Sequence, residues 1–472
     1  MEKRFEALHS TLVKQLESHH TPGLALVVTE AGVPVYELYH GYRDVAHRLP
    51  VTRNTIFGLA SVTKSLTALC IVQLAEADKL SLTDAVSLWL PEWELDDERK
   101  TSLTIHHLLT HTSGLPGMQA LAHARAASVR NDPDWPLVVA ALGGGPDPAS
   151  LVEYIQTVKD LITLLNAQPI QWLAEPERVF NYSNEGYALL QEIIERASGK
   201  SYVAYVKEHV FDVIGMASST FLLPELTNFP EVTELYAMKV TEGKPEVFHS
   251  PAWWDVAEIY ANGSLMSNAS DMVKYLQVWS GEGQIKGQSL ISAASWETLT
   301  RSHIEMPSGQ FYGYGVHITP SYHGVTVVEH GGAIKGVSSQ IMVCPNKDVT
   351  VLVLSNMAGL PVHQYALAAL NTVLGLPINE QLVTYLPFPS KEPKRLERFS
   401  GTYVSQEGPR VNISVQDDGL VAEVQHLRLP LLPYSDTGFV TPDGKVPVVF
   451  LSNGNTTASA LFLGERILPK VN

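Results

Sequence analysis

The chain of 472 residues is poor in cysteine, in charge and in unbroken apolar runs. Its two cysteines, Cys70 and Cys344, each sit inside an apolar run, which reads as two buried free thiols and argues against a disulfide framework. Charged residues make up 17% of the chain against 45% hydrophobic ones, a balance that excludes a disordered protein and supplies a large core. Lysine and arginine (33) are outnumbered by aspartate and glutamate (49); the resulting charge of −16 argues against a nucleic-acid or anionic-membrane partner. No run approaches the ~18 apolar residues of a membrane span. The first residues carry Phe5, Leu8, Leu12 and Leu16 at helical spacing among polar neighbours, an amphipathic helix in place of an apolar signal-peptide segment. Cytoplasmic is therefore the default expectation. The length fits two domains, or one large domain with an appendage.

What is present is organised in two textures. "GLALVVTEAGVPVYELYHG" reads as a hairpin about Ala31-Gly32, and a helix from Ser61 runs to about Lys79. Residues of about 80–260 read as mainly helix and loop. Sheet returns with "GVTVVEHGG", "VSSQIMVC" and "DVTVLVLSN", the last two joined at Pro345-Asn346-Lys347. First and last segments sharing one sheet, with helices between, give an α+β domain over residues 1–385 with mostly antiparallel strands. Pro387, Pro389 and Pro393 among charges mark a linker at 386–395. Residues 396–472 are short strands separated by turn signals at Asp418-Gly419, Asp436 to Gly438, Pro442 to Gly444 and Asn453-Gly454, which predicts a small antiparallel barrel or sandwich.

Three stretches carry candidate chemistry. In "GLASVTKSLTALC", Ser61 and Lys64 stand three residues apart on one helix face, so hydroxyl and amine can meet. A lysine on the core side is costly to bury as a cation, and the positive end of the helix dipole favours an alkoxide over a protonated neighbour. Both effects suit a nucleophilic serine beside a lysine that takes part in proton transfer; an N-cap serine with a surface lysine is the plain alternative. In "VFNYSNEGYALL", Ser183 or Asn184 is a natural N-cap, which leaves Tyr182 unexplained. A phenol beside a cation can have its pKa lowered and serve as a general base. In "VVEHGGAIKG" a strand ends at His330, Gly331 and Gly332, where a ligand's backbone can approach closely. A backbone N–H just beyond, facing that of Ser61, would form an oxyanion hole; a strand-ending turn explains the glycines equally well.

In this order, S-x-x-K, Tyr-x-Asn and His-x-Gly resemble the signature of the serine β-lactamase and DD-peptidase superfamily, whose parent pattern is S-x-x-K, S-D-N and K-T-G. Tyr-x-Asn resembles the class C β-lactamase branch with its carboxypeptidases, D-aminopeptidases and esterases. "LTIHHLLTHTSGLP", "LSLTDAVSLWLPEW" and "ANGSLMSNASDM" fit it too, and the likeness spans roughly residues 5–375. The last segment resembles the lipocalin-like barrel of some peptidases of that branch. The resemblance implies Ser61 as the acylated nucleophile, Lys64 as its proton partner and Tyr182 as base and then acid. It implies Asn184 and His330-Gly331-Gly332 as substrate-binding groups, and the N–H groups of Ser61 and Ala333 as the oxyanion hole. It implies no metal or organic cofactor, a small-molecule or short-peptide substrate, and leaves room for a homo-oligomer. Two positions depart from the pattern. His330 replaces a lysine that would suit a substrate carboxylate, and Glu177 follows Pro176 where the family commonly has Pro-Gly, so the turn entering Tyr182 is expected to differ.

The function expected is a serine hydrolase acting through an acyl-enzyme, foremost a peptidase or amidase tolerant of D-residues. An esterase, a β-lactamase, an acyl transferase or peptide cyclase, and a sensor that acylates without turnover are the alternatives. Other features read as structure. His107 and His111 lack the glutamate of H-E-x-x-H, and Gly143 to Gly145 lack a following G-K-[S/T]. Trp172, Trp253 and Trp254 divide evenly between core packing and lining one common cleft.

Overall fold

A computed structural model of the chain describes residues 2–471 apart from 96–97, 119, 138–150, 152–154, 168, 242–243, 286, 386–392, 406, 408–409, 418, 425–426 and 453–456. Most of the expected linker, the triple glycine at 143–145, Asp418 and Asn453-Gly454 therefore lie outside the described residues. The first domain is built on a nine-stranded sheet. In chain order its strands are β1 (Gly23–Glu30), β2 (Val33–Asp44), β3 (Leu49–Pro50), β4 (Ile304–Glu305), β5 (Phe311–Tyr312), β6 (His317–Tyr322), β7 (Val325–Ile334), β8 (Val337–Cys344) and β9 (Val349–Ser355). In space they run β4-β5-β6-β7-β8-β9-β1-β2-β3, each pair antiparallel. The chain's first strand thus lies beside its last sheet strand, Leu26 opposite Val353.

The period-2 alternation of a strand explains why β1 is apolar throughout yet serves two cores. Leu24, Leu26 and Val28 face helices α1 (Glu6–Ser18) and α5 (Val362–Leu374), packing with Leu8, Leu12, Tyr365 and Leu370. Ala25 and Val27 face the larger core around α2 (Thr63–Glu76), α3 (Asn184–Ser198) and α4 (Ala269–Ser280). Helix α2 is the centre of that core. Every residue from Thr63 to Val72 is buried, so over this stretch the helix presents no face to solvent. Among the described residues of 80–260, short helices alternate with loops, and Tyr236–Thr241 forms a hairpin with Lys244–His249. Cys70 and Cys344 are buried free thiols. No helix among the described residues is long and apolar enough to cross a membrane.

The second unit is a closed eight-stranded barrel. Its strands are β10 (Gly401–Val404), β11 (Arg410–Gln416), β12 (Gly419–Val424), β13 (Leu427–Pro433), β14 (Gly438–Val440), β15 (Pro447–Leu451), β16 (Ala460–Leu463) and β17 (Arg466–Val471). Closure comes from β10 pairing with β17. Phe399, Tyr403, Phe439 and Phe450 fill its interior, with Phe399 stacked on Phe450 at 4.3 Å, so this is a packed core and not a ligand cup. Its outer wall packs on the first domain through Val449, Phe462 and Ile467, which meet Phe180, Tyr182, Met306 and Tyr312.

One buried ion pair ties the middle segment to the sheet. Lys335, in the turn between β7 and β8, reaches Asp132 at 2.6 Å with both side chains out of solvent, and Trp254 Nε1 donates to the same carboxylate at 2.8 Å. Removing one member strands the other charge. Lys335→Met is expected to cost about 3–5 kcal/mol of stability in denaturant unfolding, and adding Asp132→Asn is expected to recover part of it.

Candidate active site

Ser61 stands on a single turn of 3-10 helix, Ala60–Val62, that leads directly into α2. The turn is held from two sides. Leu59 N–H donates to Leu265 O at 2.8 Å, and Ser339 Oγ on β8 donates to Leu59 O at 2.6 Å. Ala60 has φ +47°, the left-handed region, immediately before the nucleophile candidate. Strand β7 runs against the same turn. A Cβ on Gly332 would lie 2.1 Å from Leu59 O and 2.4 Å from Ser339 Oγ, so only glycine permits this approach of β7 to the residue that opens the Ser61 turn.

Lys64 is fully buried one helical turn on. Its Nζ lies 3.2 Å from Ser61 Oγ, 2.8 Å from Asn184 Oδ1 and 2.6 Å from the Asn262 carbonyl oxygen. Burial, and then the positive fields of Arg466 and Arg125, hold its pKa well below the ordinary lysine value. Two of its three neighbours, the Asn184 and Asn262 oxygens, accept only, so each takes an N–H of the amine and the remaining position faces Ser61 Oγ.

Tyr182 and Asn184 arrive on the entry to α3, whose N-cap is Ser183, accepting from Gly186 N–H at 3.1 Å. The Tyr182 ring centroid is 4.7 Å from Lys64 Nζ. The lowered phenol pKa expected from a neighbouring cation is not found. Burial raises it beyond the ordinary tyrosine range, against the opposing hydrogen bond with Ser61, because the low-dielectric setting penalises a phenolate. Glu177 adopts φ +69°, so the turn entering Tyr182 keeps the left-handed geometry that suits glycine although its residue is glutamate.

His330 is buried on β7, pushed down to about 3 by burial and then by the fields of His317 and Lys64. Its Nδ1 lies 2.6 Å from Gly331 O, a pure acceptor, so Nδ1 carries the proton and Nε2 accepts from Tyr312 O–H at 3.2 Å. The motif histidine is thus a neutral group.

Several contributors escaped the sequence reading. His111 accepts from Ser183 N–H through Nδ1 at 3.1 Å and sets its ring 4.3 Å from that of Tyr182, tilted by 32°, while His107 closes a capping box with Thr104. Their i, i+4 spacing reports helix geometry and carries no hint of the first role. Asn262 acts through a backbone carbonyl, which no side-chain motif can reveal. Glu185, beside Asn184, is buried with both oxygens unpaired; burial and nearby Glu407 hold it well above the usual carboxylate range. The tryptophans separate. Trp253 and Trp254 line a cavity of about 320 Å³ that includes Ala60 and Gly263, whereas Trp172 lines one of about 600 Å³ against the barrel strands.

Comparison with known proteins follows this geometry. The family model described as Beta-lactamase matches residues 8–373. Penicillin-binding protein 4* of Bacillus subtilis (strain 168) is 28% identical over 473 residues, covering 96% of this chain and 95% of its own. The solved octameric penicillin-binding protein homologue from Pyrococcus abyssi superposes with a TM-score of 0.68 at 27% identity, covering 98% of this chain and 99% of that one. The SurE structure shares the fold, with a TM-score of 0.72 at 20% identity over 99% of both chains.

The Gly332 approach yields a prediction. Gly332→Ala pushes β7 off the Ser61 turn and is expected to slow acylation of Ser61 by a reactive aryl ester, read by intact mass, by about 100-fold. Gly331→Ala meets only the end of the Gln340 side chain, 2.8 Å away, and is expected to stay within about tenfold of wild type.

Proposed function

Since this chain belongs to the beta-lactamase family, we propose that it is a serine hydrolase that opens amide or ester bonds of small substrates through an acyl-enzyme on Ser61, foremost as a peptidase or amidase tolerant of D-residues. The observation that carries this reading is the buried amine of Lys64, held 3.2 Å from Ser61 Oγ by two acceptors that fix its orientation. Ser61 Oγ passes its proton to the Lys64 lone pair and attacks the carbonyl carbon. The N–H groups of Ser61 and Ala333 receive the oxyanion. Tyr182, kept protonated by burial, gives its proton to the departing amine or alcohol and regains one through Lys64. Water then attacks the acyl-enzyme by the reverse proton route.

A neutral His330 offers no fixed cation for the carboxylate of a penicillin or a free peptide C-terminus, which supports amide and ester substrates over β-lactams. Homo-oligomerisation belongs to the same reading, supported by the octameric state of the Pyrococcus abyssi homologue.

The test is a matched panel of a D-peptide amide, its L counterpart, a short-chain aryl ester and a cephalosporin, run with wild type and Ser61→Ala. Turnover of the D-amide that vanishes in Ser61→Ala is expected. Turnover of the cephalosporin alone would make the chain a β-lactamase, and an acyl adduct without release would point to transfer or sensing. Tyr182→Phe is expected to lower kcat by roughly 10²–10⁴-fold while Ser61 still acylates with an activated ester.

A further inference from the structure

The tight turn between β16 and β17 enters the site from the barrel. Gly464 and Glu465 form its two-residue loop, closed by Leu463 opposite Arg466, and both have positive φ, +55° and +66°. A two-residue hairpin loop of this kind favours asparagine or glycine at each position. Glutamate is a poor choice for the backbone there, so its side chain has another use.

The loop is anchored on the catalytic segment at both ends. Tyr182 N–H donates to Glu465 O at 3.0 Å, and Ile467 N–H donates to Asn181 Oδ1 at 2.8 Å. The Arg466 guanidinium lies 4.4 Å from the Tyr182 ring centroid and pairs with Glu407 at 2.5 Å. The Glu465 carboxylate then reaches 3.0 Å from His317 Nε2 on β6, off the axis of a regular hydrogen bond but in ion-pair contact. The His317 ring stands 5.3 Å from that of His330 on the neighbouring strand.

We propose that Glu465 is a positioning residue of the hydrolase site: by pairing with His317 it keeps a proton on that imidazole, and so keeps His330 uncharged with its Nε2 lone pair towards Tyr312. The inference rests on the hydrolase reading for its consequence in catalysis, and on the geometry alone for the charge pattern. Two cations on imidazoles this close repel, so a proton fixed on His317 excludes one from His330. The surrounding groups agree. Burial works against charge on His317, and Glu465, with a smaller contribution from Glu329, raises it above the ordinary value. Burial likewise works against Glu465, yet His317, and then Arg466, hold it down to about 2. On the remaining sides stand Lys64 of α2 and the neutral His111, and His363 of α5 occupies Glu329 at 3.1 Å. The barrel thereby supplies the countercharge that lets a neutral histidine stand where the family pattern has a lysine.

The test uses the full chain with isotope-labelled histidine and the variants Glu465→Gln, Glu465→Asp and His317→Gln, the last to assign the resonance. NMR reads imidazole charge without any substrate. His317 is expected to remain protonated at pH 7 in wild type, with His330 neutral and protonated at Nδ1. In Glu465→Gln, His317 is expected to lose its proton by pH 7, and Glu465→Asp to restore the wild-type pattern. With an aryl ester, the acid limb of kcat/KM in Glu465→Gln is expected to move up by about one pH unit, because the two imidazoles then share an uncompensated proton as the pH falls. A neutral His317 at pH 7 in wild type overturns the proposal even where Glu465→Gln fails to fold. An unmoved titration and an unmoved acid limb in Glu465→Gln overturn it too. Failure of the wild type to turn over the ester panel counts against the hydrolase reading instead, leaving the NMR result to decide the charge pattern.

Discussion

Burial of the Lys64 amine is the constraint on which the rest of the structure depends. A solvated lysine is a cation and a poor proton acceptor; to accept from Ser61 in the proposed reaction it must be taken out of water. Helix α2 therefore runs through the middle of the large core, buried from Thr63 to Val72, and its buried charged group is placed where three oxygens surround it. Those oxygens come from three distant parts of the chain: Ser61 itself, Asn184 at the start of α3, and the Asn262 carbonyl. The sheet, the helices and their loops converge on one nitrogen atom.

The same desolvation sets the character of the other groups. Tyr182 is held as a neutral phenol and His330 as a neutral imidazole, so the site rests nearly uncharged although it is built from titratable side chains. Charge is kept at its edge, on Arg466 with Glu407 and on His317 with Glu465, where each cation has an anionic partner. Both pairs involve the barrel. The C-terminal unit is therefore more than an appendage, since its outer wall covers Phe180, Tyr182 and Tyr312 and its turn lies against the segment that carries Tyr182.

Much of this was legible along the chain. The hairpin about Ala31-Gly32, the strands flanking Pro345 to Lys347 and the Ser61 helix carry local periodicity and turn chemistry, which act over a few residues and so leave their mark in sequence. The three motifs were legible for a related reason: each is a short run whose residues serve one site. The lowered phenol pKa expected for Tyr182 was read the wrong way, because proximity to a lysine is visible in a motif and the depth of burial is not. Glu177 was read as a departure in the turn into Tyr182; its backbone is left-handed, a conformation that a motif cannot reveal.

The sequence by itself determined the two-part architecture, the nucleophile candidate with its lysine, and the order in which the supporting motifs enter. Only the tertiary structure decided which protons those residues hold and which strangers stand beside them: His111 under Tyr182, the Asn262 carbonyl on Lys64, and Glu465 on His317. The reason is physical. Covalent neighbours and helical or strand periods are written along the chain, whereas desolvation and charge pairing depend on distances between residues far apart along it, as for His317 and Glu465, which close only when the chain has folded.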